Sequence, residues 1–423
     1  MEVIISPGTI EGRVAANASK SAMQRAVAAA LLANGQSVIS NPGVSNDCVA
    51  ALKVAENLGA EVQYSKDRIE ITSKGVRPRT DTVNCGESGL GIRMFTPIAA
   101  LSDRPLTIKG EGSLMNRPVD FFEQVLPALG VQCSTVNGHP PLKIQGPLNP
   151  QDITIDGSLS SQFLTGLLMA YGAVAENRTI RVKNLTSRPY IELTLRLMQH
   201  FGVKVQHENL ERFHFGPLQR YRPRDYTVEG DWSGAAFLLV AGAIGGQIEV
   251  DNLNVLSAQS DKAILEALEK AGAKVVKGMF TIVVEKAPLR AFDFDATQCP
   301  DLFPPLVALA AHCKGVSCIR GAERLTHKES NRSVALQEEF GKMGVAIRVD
   351  GDAMFVDGGG VLKAATVHSH HDHRIAMACA TAALNASGPV RIAVADAVNK
   401  SYPEFWRHWR KIGGKVQALA ITH

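Results

Sequence analysis

The feature that most constrains the fold is a glycine that recurs at a nearly constant interval. Six times, a short amphipathic segment ends in Gly, and an apolar residue follows two or three residues later. The glycines are Gly59, Gly130, Gly202, Gly272, Gly344 and Gly413, at intervals of 71, 72, 70, 72 and 69 residues. A Gly just after the last helical residue is typical of a helix that stops before a strand. The pattern therefore predicts six related repeats.

The second repeat indicates the order of elements most clearly. It predicts, in this order, a strand, a helix, a strand, a helix and two strands: Thr82–Cys85, Gly89–Leu101, Leu106–Ile108, Val119–Gly130, Val131–Ser134 and Leu142–Gln145. The third repeat, from Ile153, and the fourth, from Tyr226, follow the same β-α-β-α-β-β order. Common solenoid repeats have about 20–50 residues, so these longer repeats are expected to pack into globular domains.

The chain begins with a spare strand and ends with an incomplete repeat. Val3–Ile5 is predicted as a strand ahead of the first repeat, whose own first strand would be Gly8–Val14. The sixth repeat stops soon after a last strand at Val416–Ile421. Pairing the N-terminal strand with the last repeat completes it.

A two-domain organisation follows from the six repeats. A chain of 423 residues is too long for one ordinary core. We expect three repeats in each of two domains, with bounds of 13–228 for the N-terminal domain and 1–12 plus 229–423 for the C-terminal domain. The chain would then cross between the domains twice, near Gly12 and near Val228.

Composition excludes several functional classes. The chain is 45% hydrophobic and 20% charged, which is typical of a globular protein. A net charge of +4 does not indicate general nucleic-acid binding. No apolar run reaches the roughly 18 residues of a membrane span, and the N-terminus has no signal-like segment. Seven cysteines without a CxxC pair indicate a reducing compartment. We therefore expect a cytoplasmic protein without nucleic-acid or membrane partners. We also expect a monomer, although composition carries no information on the oligomeric state.

Unusual polar residues stand where the first helix of each repeat begins. The six starts are Ser19-Lys20-Ser21, Gly86-Glu87-Ser88-Gly89, Ser160-Ser161-Gln162, Asp231-Trp232-Ser233, Pro300-Asp301 and His371-Asp372-His373-Arg374. Ser160 and Asp231 fit ordinary helix N-caps. Capping leaves four cations unexplained: Lys20, Arg25, Arg93 and Arg374. A cation near a helix N-terminus opposes the helix dipole, so these cations are expected where an anion lies between them and the exposed N–H groups.

Further cations occupy other loops of the repeats. They are Arg117, Lys328, Arg332 and Lys400. Together with the helix starts they predict a cleft with about eight cations, suited to one or two small, multiply charged anions. No GxxxxGK[ST] motif is present, so a nucleotide P-loop is not supported.

Four histidines precede and begin the last of these helices. They are His368, His370, His371 and His373. Their spacing fits no standard metal site, and the adjacent Arg374 would repel a cation. We therefore expect no metal site.

These segments together resemble the 5-enolpyruvylshikimate-3-phosphate synthase family over essentially the whole chain. The segments that carry the resemblance are Ser19–Ser21 with Arg25, Gly86–Arg93, Asn116–Pro118, Gly157–Phe163, Ser187–Tyr190, Pro300-Asp301, Lys328–Arg332, Asp372–Arg374 and Asn399–Pro403. The resemblance implies an α/β fold, namely a two-domain inside-out α/β barrel with three βαβαββ repeats in each domain. It also implies that the domains close over the substrates.

The resemblance implies transfer of the enolpyruvyl group of phosphoenolpyruvate to the 5-hydroxyl of shikimate 3-phosphate. This step belongs to the shikimate pathway, which leads to chorismate and the aromatic amino acids. The residues implied to bind shikimate 3-phosphate are Lys20, Ser21, Arg25, Ser160, Ser161, Gln162, Ser187, Tyr190, Asp301 and Lys328. Those implied to bind phosphoenolpyruvate are Lys20, Gly89, Arg117, Gln162, Arg332, Arg374 and Lys400.

The resemblance also implies that the residues which transfer protons are Lys20, Asp301 and Glu329. A carboxylate such as Asp301 is suited to take the proton of the 5-hydroxyl. Either Lys20 or Glu329 would protonate the methylene carbon of phosphoenolpyruvate, and both assignments are open at this point. The implied reaction requires no metal and no organic cofactor.

Some positions depart from the family pattern. Glu87 and Leu90 stand where the glycine loop usually has Asn and Thr, and Asn331 stands where Asp is usual. Glu87 would repel anionic substrates unless it turns away or pairs with a cation. We expect these changes to reshape the phosphoenolpyruvate pocket and to lower sensitivity to glyphosate, which competes there.

Two alternatives are compatible with the same repeats. One is the related transferase that acts on UDP-N-acetylglucosamine, although that enzyme typically has Lys-Asn where this chain has Lys20-Ser21. It also often has a Cys in the loop that corresponds to Gly110–Pro118, where this chain has none. The other is a non-catalytic, anion-binding paralogue.

Overall fold

The computed structural model describes residues 1–65 and 67–419. Residues 420–423, including Ile421 of the last predicted strand, therefore lie outside the described residues. The α-helices are α1 Lys20–Leu32, α2 Asn46–Asn57, α3 Gly89–Ala99, α4 Phe121–Val125, α5 Ser161–Val174, α6 Arg188–His200, α7 Trp232–Gly245, α8 Ile264–Ala271, α9 Phe303–Ala311, α10 Arg332–Lys342, α11 His373–Ala382 and α12 Phe405–Lys411.

The strands alternate with these helices along the chain. Their bounds are β1 Glu2–Ser6, β2 Ile10–Ala15, β3 Asn34–Ser40, β4 Glu61–Ser65, β5 Arg68–Lys74, β6 Thr82–Asn84, β7 Leu106–Lys109, β8 Gln132–Val136, β9 His139–Gln145, β10 Ile153–Asp156, β11 Arg178–Lys183, β12 Gln206–Glu208, β13 Arg212–Phe215, β14 Asp225–Thr227, β15 Gly246–Asp251, β16 Lys274–Lys277, β17 Thr281–Glu285, β18 Asp293–Asp295, β19 Gly315–Arg320, β20 Ala346–Asp350, β21 Ala353–Gly358, β22 Ala365–His368, β23 Val390–Ala393 and β24 Lys415–Leu419.

Within the described residues, six four-stranded sheets share one pattern of pairing. Their orders are β14-β3-β5-β4, β6-β7-β9-β8, β10-β11-β13-β12, β2-β15-β17-β16, β18-β19-β21-β20 and β22-β23-β1-β24. In each, the first pair is parallel and the next two pairs are antiparallel. In four of the sheets a helix connects the two parallel strands, as a crossover connection requires, whereas in the pairs β14-β3 and β2-β15 the two strands are far apart in sequence. The βαβαββ order inferred from the glycine period is therefore confirmed.

The chain forms two compact units. The N-terminal unit is Ala18–Val228, and the C-terminal unit comprises Met1–Asn17 together with the described residues from Glu229. The first change of unit thus lies after Asn17, not near Gly12, and residues 13–17 lie in the C-terminal unit.

The difference in this boundary arises from an exchange of first strands. The sequence pattern predicts Gly8–Val14 as the first strand of the first repeat, but β2 pairs in parallel with β15 of the fourth repeat. The strand β14, expected to open the fourth repeat, pairs with β3 of the first. Meanwhile β1, expected to complete the last repeat, lies between β23 and β24. Equivalent first strands offer the same parallel pairing, so the sequence pattern alone does not distinguish the exchanged arrangement.

The six recurrent glycines all have the left-handed conformation. Their φ angles are 115° at Gly59, 77° at Gly130, 91° at Gly202, 96° at Gly272, 86° at Gly344 and 96° at Gly413. Residues other than Gly rarely adopt these φ angles, which explains why Gly recurs at the ends of these helices. One predicted helix is divided, because Pro127 cannot continue α-helical hydrogen bonding: α4 is followed by a 3₁₀ turn at Leu126–Leu129.

The first helices of the repeats form the centre of each unit. In the N-terminal unit α1, α3 and α5 pack together, and in the C-terminal unit α7, α9 and α11 do so. Helices α3, α9 and α11 are buried on every side, and α7 nearly so. Burial on all sides requires apolar sequence in every direction, so only the ends of these helices can carry chemistry. No helix of the described residues is long and apolar enough to cross a membrane.

Candidate active site

Capping side chains begin most of the central helices. Ser160 Oγ accepts from the N–H of Phe163 at 3.1 Å, and Asp231 accepts from the N–H groups of Ser233 and Gly234. The capping role expected for Ser160 and Asp231 is therefore confirmed. Asp372 caps α11 in the same way, through the N–H of Arg374 at 3.0 Å.

Lys20, the first residue of α1, forms an ion pair at the start of this helix. Its ammonium group is 2.9 Å from Asp47 Oδ2, and the Asp47 side chain is only 4% exposed. Asp47 lies in the first turn of α2, behind the capping residue Ser45. Asp47 was not among the predicted site residues. An acidic residue in the first turn after a Ser N-cap is nevertheless a recognisable sign that a helix begins. This ion pair fixes the position of the ammonium group.

Arg25 is buried one turn further along α1. Its Nε donates to Thr194 Oγ1 at 2.9 Å and its Nη1 to the carbonyl of Ser21 at 3.0 Å. The guanidinium carbon lies 5.8 Å from the ring centroid of Tyr190, within cation–π range. Burial lowers the pKa of Arg25 to about 10. Arg25 has no carboxylate partner among the described residues, so the site can still accept a negative charge.

The N-terminus of α3 forms a second cationic site. A Cβ on Gly89 would meet the guanidinium groups of Arg117 and Arg93, so the missing side chain leaves room for both groups beside the helix N-terminus. Arg93 Nη1 donates to Gln162 Oε1 at 3.2 Å. Arg117 Nε is buried without a hydrogen-bond partner in the described part of the chain. The N-terminus of a helix and two guanidinium groups together favour a bound anion.

The other predicted residues of the N-terminal unit lie at helix starts. Ser161 and Gln162 are the first two residues of α5 and are half-buried. Ser187 precedes α6 with a left-handed φ of 55° and is buried. Tyr190 lies in the first turn of α6, half-buried.

A dense charge network forms around Arg332 in the C-terminal unit. The Arg332 side chain is 0% exposed, and its nitrogens lie 2.8 Å from Asp301, 2.7 Å from Glu329 and 2.8 Å from Asp372. Lys328 and Arg374 lie further from Asp301, at 3.6 and 3.9 Å. The structure thus brings together five of the predicted residues: Lys328 and Glu329 just before α10, Arg332 at its start, Arg374 at the start of α11, and Asp301 in the 3₁₀ turn Pro300–Leu302.

The network fixes the charge states of its members. Burial alone would raise the pKa of Asp301, but Lys328, Arg374 and Arg332 hold it well below its ordinary value. Burial lowers the pKa of Lys328, although Asp301 acts in the opposite direction. Arg374 Nε is buried and has no hydrogen-bond partner among the residues described here. The network therefore has an ionised carboxylate beside a guanidinium group with unused hydrogen-bonding capacity.

Two neighbours of this network were named in the sequence motifs without a role. Asp372 is 0% exposed, and its carboxylate accepts from Arg332 Nε and from Ser330 Oγ. His373 Nε2 lies 3.9 Å from Glu329, and its Nδ1 pairs with Ser401 Oγ. Their roles became visible only through partners distant in sequence. The remaining predicted residue, Lys400, ends the 3₁₀ turn Ala395–Lys400 and is buried.

The same neighbours offer a possible set of metal ligands. Oxygen or nitrogen atoms of Glu329, Asp372 and His373 lie within 4.8 Å of one another. Arg332, however, already donates to both carboxylates. A metal ion there would have to displace a buried guanidinium, so this group does not suit a resident metal.

The departures from the family pattern have definite positions. Asn331 caps α10, accepting from the N–H of Val334 at 3.3 Å, so it retains a capping function. Glu87 is exposed, and its carboxylate lies over Gly112, where a Cβ would be 2.0 Å from Oε1. Leu90 is buried in the first turn of α3.

Comparison with known proteins identifies the family. The family model described as EPSP synthase (3-phosphoshikimate 1-carboxyvinyltransferase) matches residues 4–409. The chain belongs to the EPSP synthase family. A 3-phosphoshikimate 1-carboxyvinyltransferase from Clostridium novyi is 35% identical over 428 residues, covering 99% of this chain and 98% of that protein. One from Aeropyrum pernix is 38% identical over 418 residues, covering 99% and 97%.

Solved structures support the fold of an EPSP synthase family member. An EPSP synthase from Acinetobacter baumannii superposes with a TM-score of 0.82 at 24% identity, covering 99% of this chain and 100% of that one. The enolpyruvyl transferase NikO from Streptomyces tendae gives a TM-score of 0.80 at 18% identity, covering 98% of each chain. The predicted enolpyruvyl transferase fold is therefore confirmed, and the family membership does not favour the UDP-N-acetylglucosamine alternative.

Proposed function

We propose that this chain transfers the enolpyruvyl group of phosphoenolpyruvate to the 5-hydroxyl of shikimate 3-phosphate and releases phosphate. The observation that carries the proposal is the group around Asp301, in which an ionised carboxylate lies beside Lys328, Arg332 and Arg374. Membership of the EPSP synthase family gives the substrate pair. The reaction would serve the shikimate pathway and the synthesis of aromatic amino acids.

Shikimate 3-phosphate would be held by hydroxyl and cationic groups. Arg25, buried without a carboxylate partner among the described residues, would bind the phosphate. The hydroxyls of Ser161, Ser187 and Tyr190 suit the remaining oxygens of the ligand. The other residues proposed for this substrate are Lys20, Ser21, Ser160, Gln162, Asp301 and Lys328.

Phosphoenolpyruvate would be held by guanidinium groups and a helix terminus. Gly89 and Arg117 place a helix N-terminus and a guanidinium group at one point, which matches a carboxylate or a phosphate. Arg374 has an unused buried Nε, so it too can receive an anion. The other residues proposed for this substrate are Lys20, Gln162, Arg332 and Lys400.

The proposed chemistry is an addition followed by an elimination. The 5-hydroxyl oxygen bonds to C2 of phosphoenolpyruvate, its proton moves to Asp301, and C3 receives a proton from Lys20 or Glu329. The resulting tetrahedral ketal then returns a proton from C3 to the side chain that supplied it, the C2–C3 double bond forms again, and C2 expels phosphate. Because Asp301 is ionised, it can accept a hydrogen bond from the hydroxyl before addition. Nearby cations offset the charge that develops on the leaving phosphate.

The first test is release of phosphate from phosphoenolpyruvate by the purified protein. We expect release that depends on shikimate 3-phosphate, with UDP-N-acetylglucosamine inactive as the acceptor. Asp301→Ala should lower kcat by about 10²–10⁴. A matched control is Asp350→Ala, because Asp350 is an exposed residue of β20 in the same unit.

Each outcome of this test is informative. Release with UDP-N-acetylglucosamine instead would assign the related transferase activity. No release with either acceptor would indicate a non-catalytic, anion-binding paralogue. Full activity in Asp301→Ala would refute the role of Asp301 as base.

The proposal also covers cofactors and assembly. We expect no metal or organic cofactor, because every proton transfer is given to a side chain. We expect a cytoplasmic monomer that acts on small molecules. Activity that survives exhaustive chelation, and a monomer mass by light scattering, would support these points.

A further inference from the structure

A cluster of histidine and glutamate side chains lies outside the residues assigned to the substrates. His370 belongs to the loop between β22 and α11, and Glu338 and Glu339 lie near the end of α10. His370 Nε2 is 3.4 Å from Glu339 Oε2 and 3.7 Å from Glu338 Oε2. One ligand atom from each residue lies within 4.8 Å of the other two. We call these three residues the His370 cluster.

The spacing in the His370 cluster matches the geometry of a zinc site. Zinc binds imidazole nitrogen and carboxylate oxygen at about 2.0–2.2 Å in a tetrahedral arrangement. Two ligands of such a site are then separated by about 3.4 Å, the edge of the tetrahedron. The observed separations of 3.4 and 3.7 Å from His370 to the two carboxylates are close to this edge.

Surrounding groups hold two of the ligands in place. The Glu339 side chain is fully buried, and its Oε1 accepts from the N–H of His368 at 2.9 Å. The N–H of His370 in turn donates to Nδ1 of the His368 ring at 2.8 Å. Outer hydrogen bonds of this kind orient metal ligands and tune their affinity. Because Nδ1 of His368 is an acceptor, His368 itself orients the loop and is not counted as a ligand.

Lys342 is the competitor for this site. Its ammonium group lies 2.5 and 2.9 Å from the two oxygens of Glu339 and neutralises the buried carboxylate. The Lys342 side chain is 49% exposed, so it can rotate into solvent on its flexible stem when a divalent cation arrives. Arg374 was expected from the sequence to repel a cation. Its Nη2 lies 3.9 Å from Asp301 Oδ2, a carboxylate that does not belong to the His370 cluster.

We propose that His370, Glu338 and Glu339 bind one divalent cation of the zinc class, with water completing the coordination. One imidazole and two carboxylates suit Zn²⁺, Co²⁺ or Mn²⁺ and do not suit soft Cu⁺. Glu338 is 57% exposed, so the site is open to solvent on that side. The spacing of the histidines did not predict this site, because both carboxylates belong to α10 and not to the loop that contains the histidines.

The test is a titration of untagged, full-length protein with Zn²⁺, read by competition with a chromophoric chelator. We expect one site, and Co²⁺ in its place should give the visible absorption of a tetrahedral centre. His370→Asn should weaken Zn²⁺ binding by at least about tenfold. Asn is chosen because His370 has φ of 56°, which Asn tolerates better than Ala. Glu338→Gln should weaken binding as well.

A third variant distinguishes a metal site from a merely structural cluster. Lys342→Gln removes the competing cation, so it should tighten Zn²⁺ binding, whereas a structural role predicts no tightening. His207→Ala is the control, because His207 is an exposed histidine of the other unit. Equal affinity in wild type, His370→Asn and Glu338→Gln would overturn the proposal. So would Zn²⁺ binding that is lost in Glu329→Gln and kept in His370→Asn.

Discussion

Arg25 in the N-terminal unit and Arg332 in the C-terminal unit are equally buried, at 1% and 0% exposure, but their partners differ. Arg25 contacts a hydroxyl and a carbonyl, whereas Arg332 contacts three carboxylates. Their pKa values move in opposite directions. Burial lowers that of Arg25, whereas for Arg332 the carboxylates Asp372, Glu329 and Asp301 outweigh burial and raise it.

The difference indicates a division of labour between the units. A buried cation without a counter-charge is costly until an anion binds, so Arg25 gains most from a phosphate ligand. In the Arg332 network the positive charge is already paired with carboxylates, so we infer that the network serves to fix the charge and position of Asp301 and Glu329. The N-terminal unit is therefore suited to bind anions, and the C-terminal unit to place groups that move protons.

The largest expected effect concerns the donor of the proton to C3 of phosphoenolpyruvate. Lys20 is paired with the carboxylate of Asp47, which favours the protonated ammonium form, whereas Glu329 is paired with a guanidinium, which favours the ionised carboxylate. We therefore expect Lys20→Met to lower kcat by about 10²–10⁴, and Glu329→Gln to lower it less. The measurement is kcat, together with incorporation of solvent deuterium into the methylene group.

The control for this prediction is Lys53→Met, because Lys53 is an exposed residue of α2 in the same unit. A larger loss in Glu329→Gln than in Lys20→Met would reverse the assignment. It would also contradict the proposed division, since the C-terminal unit would then supply both proton-transfer groups.

Replacing Arg25 and Arg332 in turn should distinguish the two environments by stability. Arg332→Met leaves three carboxylates without their cation, so we expect a loss of about 3–5 kcal/mol in the free energy of unfolding. Arg25→Met removes hydrogen bonds to two uncharged oxygens but also removes a buried charge that has no carboxylate partner among the described residues, so a change of no more than about 1.5 kcal/mol is expected. Chemical denaturation in a buffer without phosphate or sulfate measures both.

Inorganic phosphate provides the complementary measurement. It should raise the Tm of the wild type more than that of Arg25→Met, because a ligand stabilises only the form that binds it. Equal destabilisation by the two substitutions would show that Arg25 is as fully compensated as Arg332, which would remove the basis of the comparison.

Much of this organisation was predictable because repetition amplifies local signals. A left-handed Gly after a helix is a strong local preference, and six copies at one period defined the βαβαββ repeat. The cations at helix starts were recognisable because they oppose the helix dipole. The exchange of β2 and β14 was not predictable, since the two strands provide equivalent parallel pairing.

The partners of the charged residues were the other part that sequence did not reveal. Lys20 lies in α1 and its partner Asp47 lies in α2. Glu339 lies in α10, whereas His370 lies in the loop between β22 and α11. Such pairs depend on distances between elements, and the amphipathic pattern of one helix contains no information on them. The sequence therefore predicted which residues bear charge, and only the packing showed which charges neutralise one another.

Asp261 is a buried carboxyl group of the C-terminal unit whose pKa is raised, whereas that of Asp301 is lowered. It is 1% exposed and bonded to Ser233, and burial raises its pKa from 3.8 to about 6. Because the folded pKa exceeds the unfolded value, stability is highest below about pH 4 for this group and falls as pH rises to about 6. The loss would be about 3 kcal/mol at most.

Asp261→Asn should remove this pH dependence. We expect the Tm of the variant, relative to wild type, to increase between pH 4 and pH 6 and then to level off. Asp295→Asn is the control, because hydrogen bonds with Thr297 lower the pKa of that carboxyl. A constant difference in Tm across this range would mean that Asp261 is compensated like its neighbours.

The smallest expected effect concerns Glu87, the acidic residue next to the cationic site of Gly89 and Arg117. Its carboxylate lies over Gly112 and in solvent, so water and salt screen its repulsion of a bound anion. Glu87→Asn should therefore lower the KM for phosphoenolpyruvate and the inhibitory concentration of glyphosate by only about threefold each. Glu176→Asn, an exposed change in the same unit, should alter neither. If glyphosate inhibits the wild type as strongly as enzymes with the usual loop, Glu87 does not lower sensitivity. The anion-binding character of the N-terminal unit would then depend on its arginines alone.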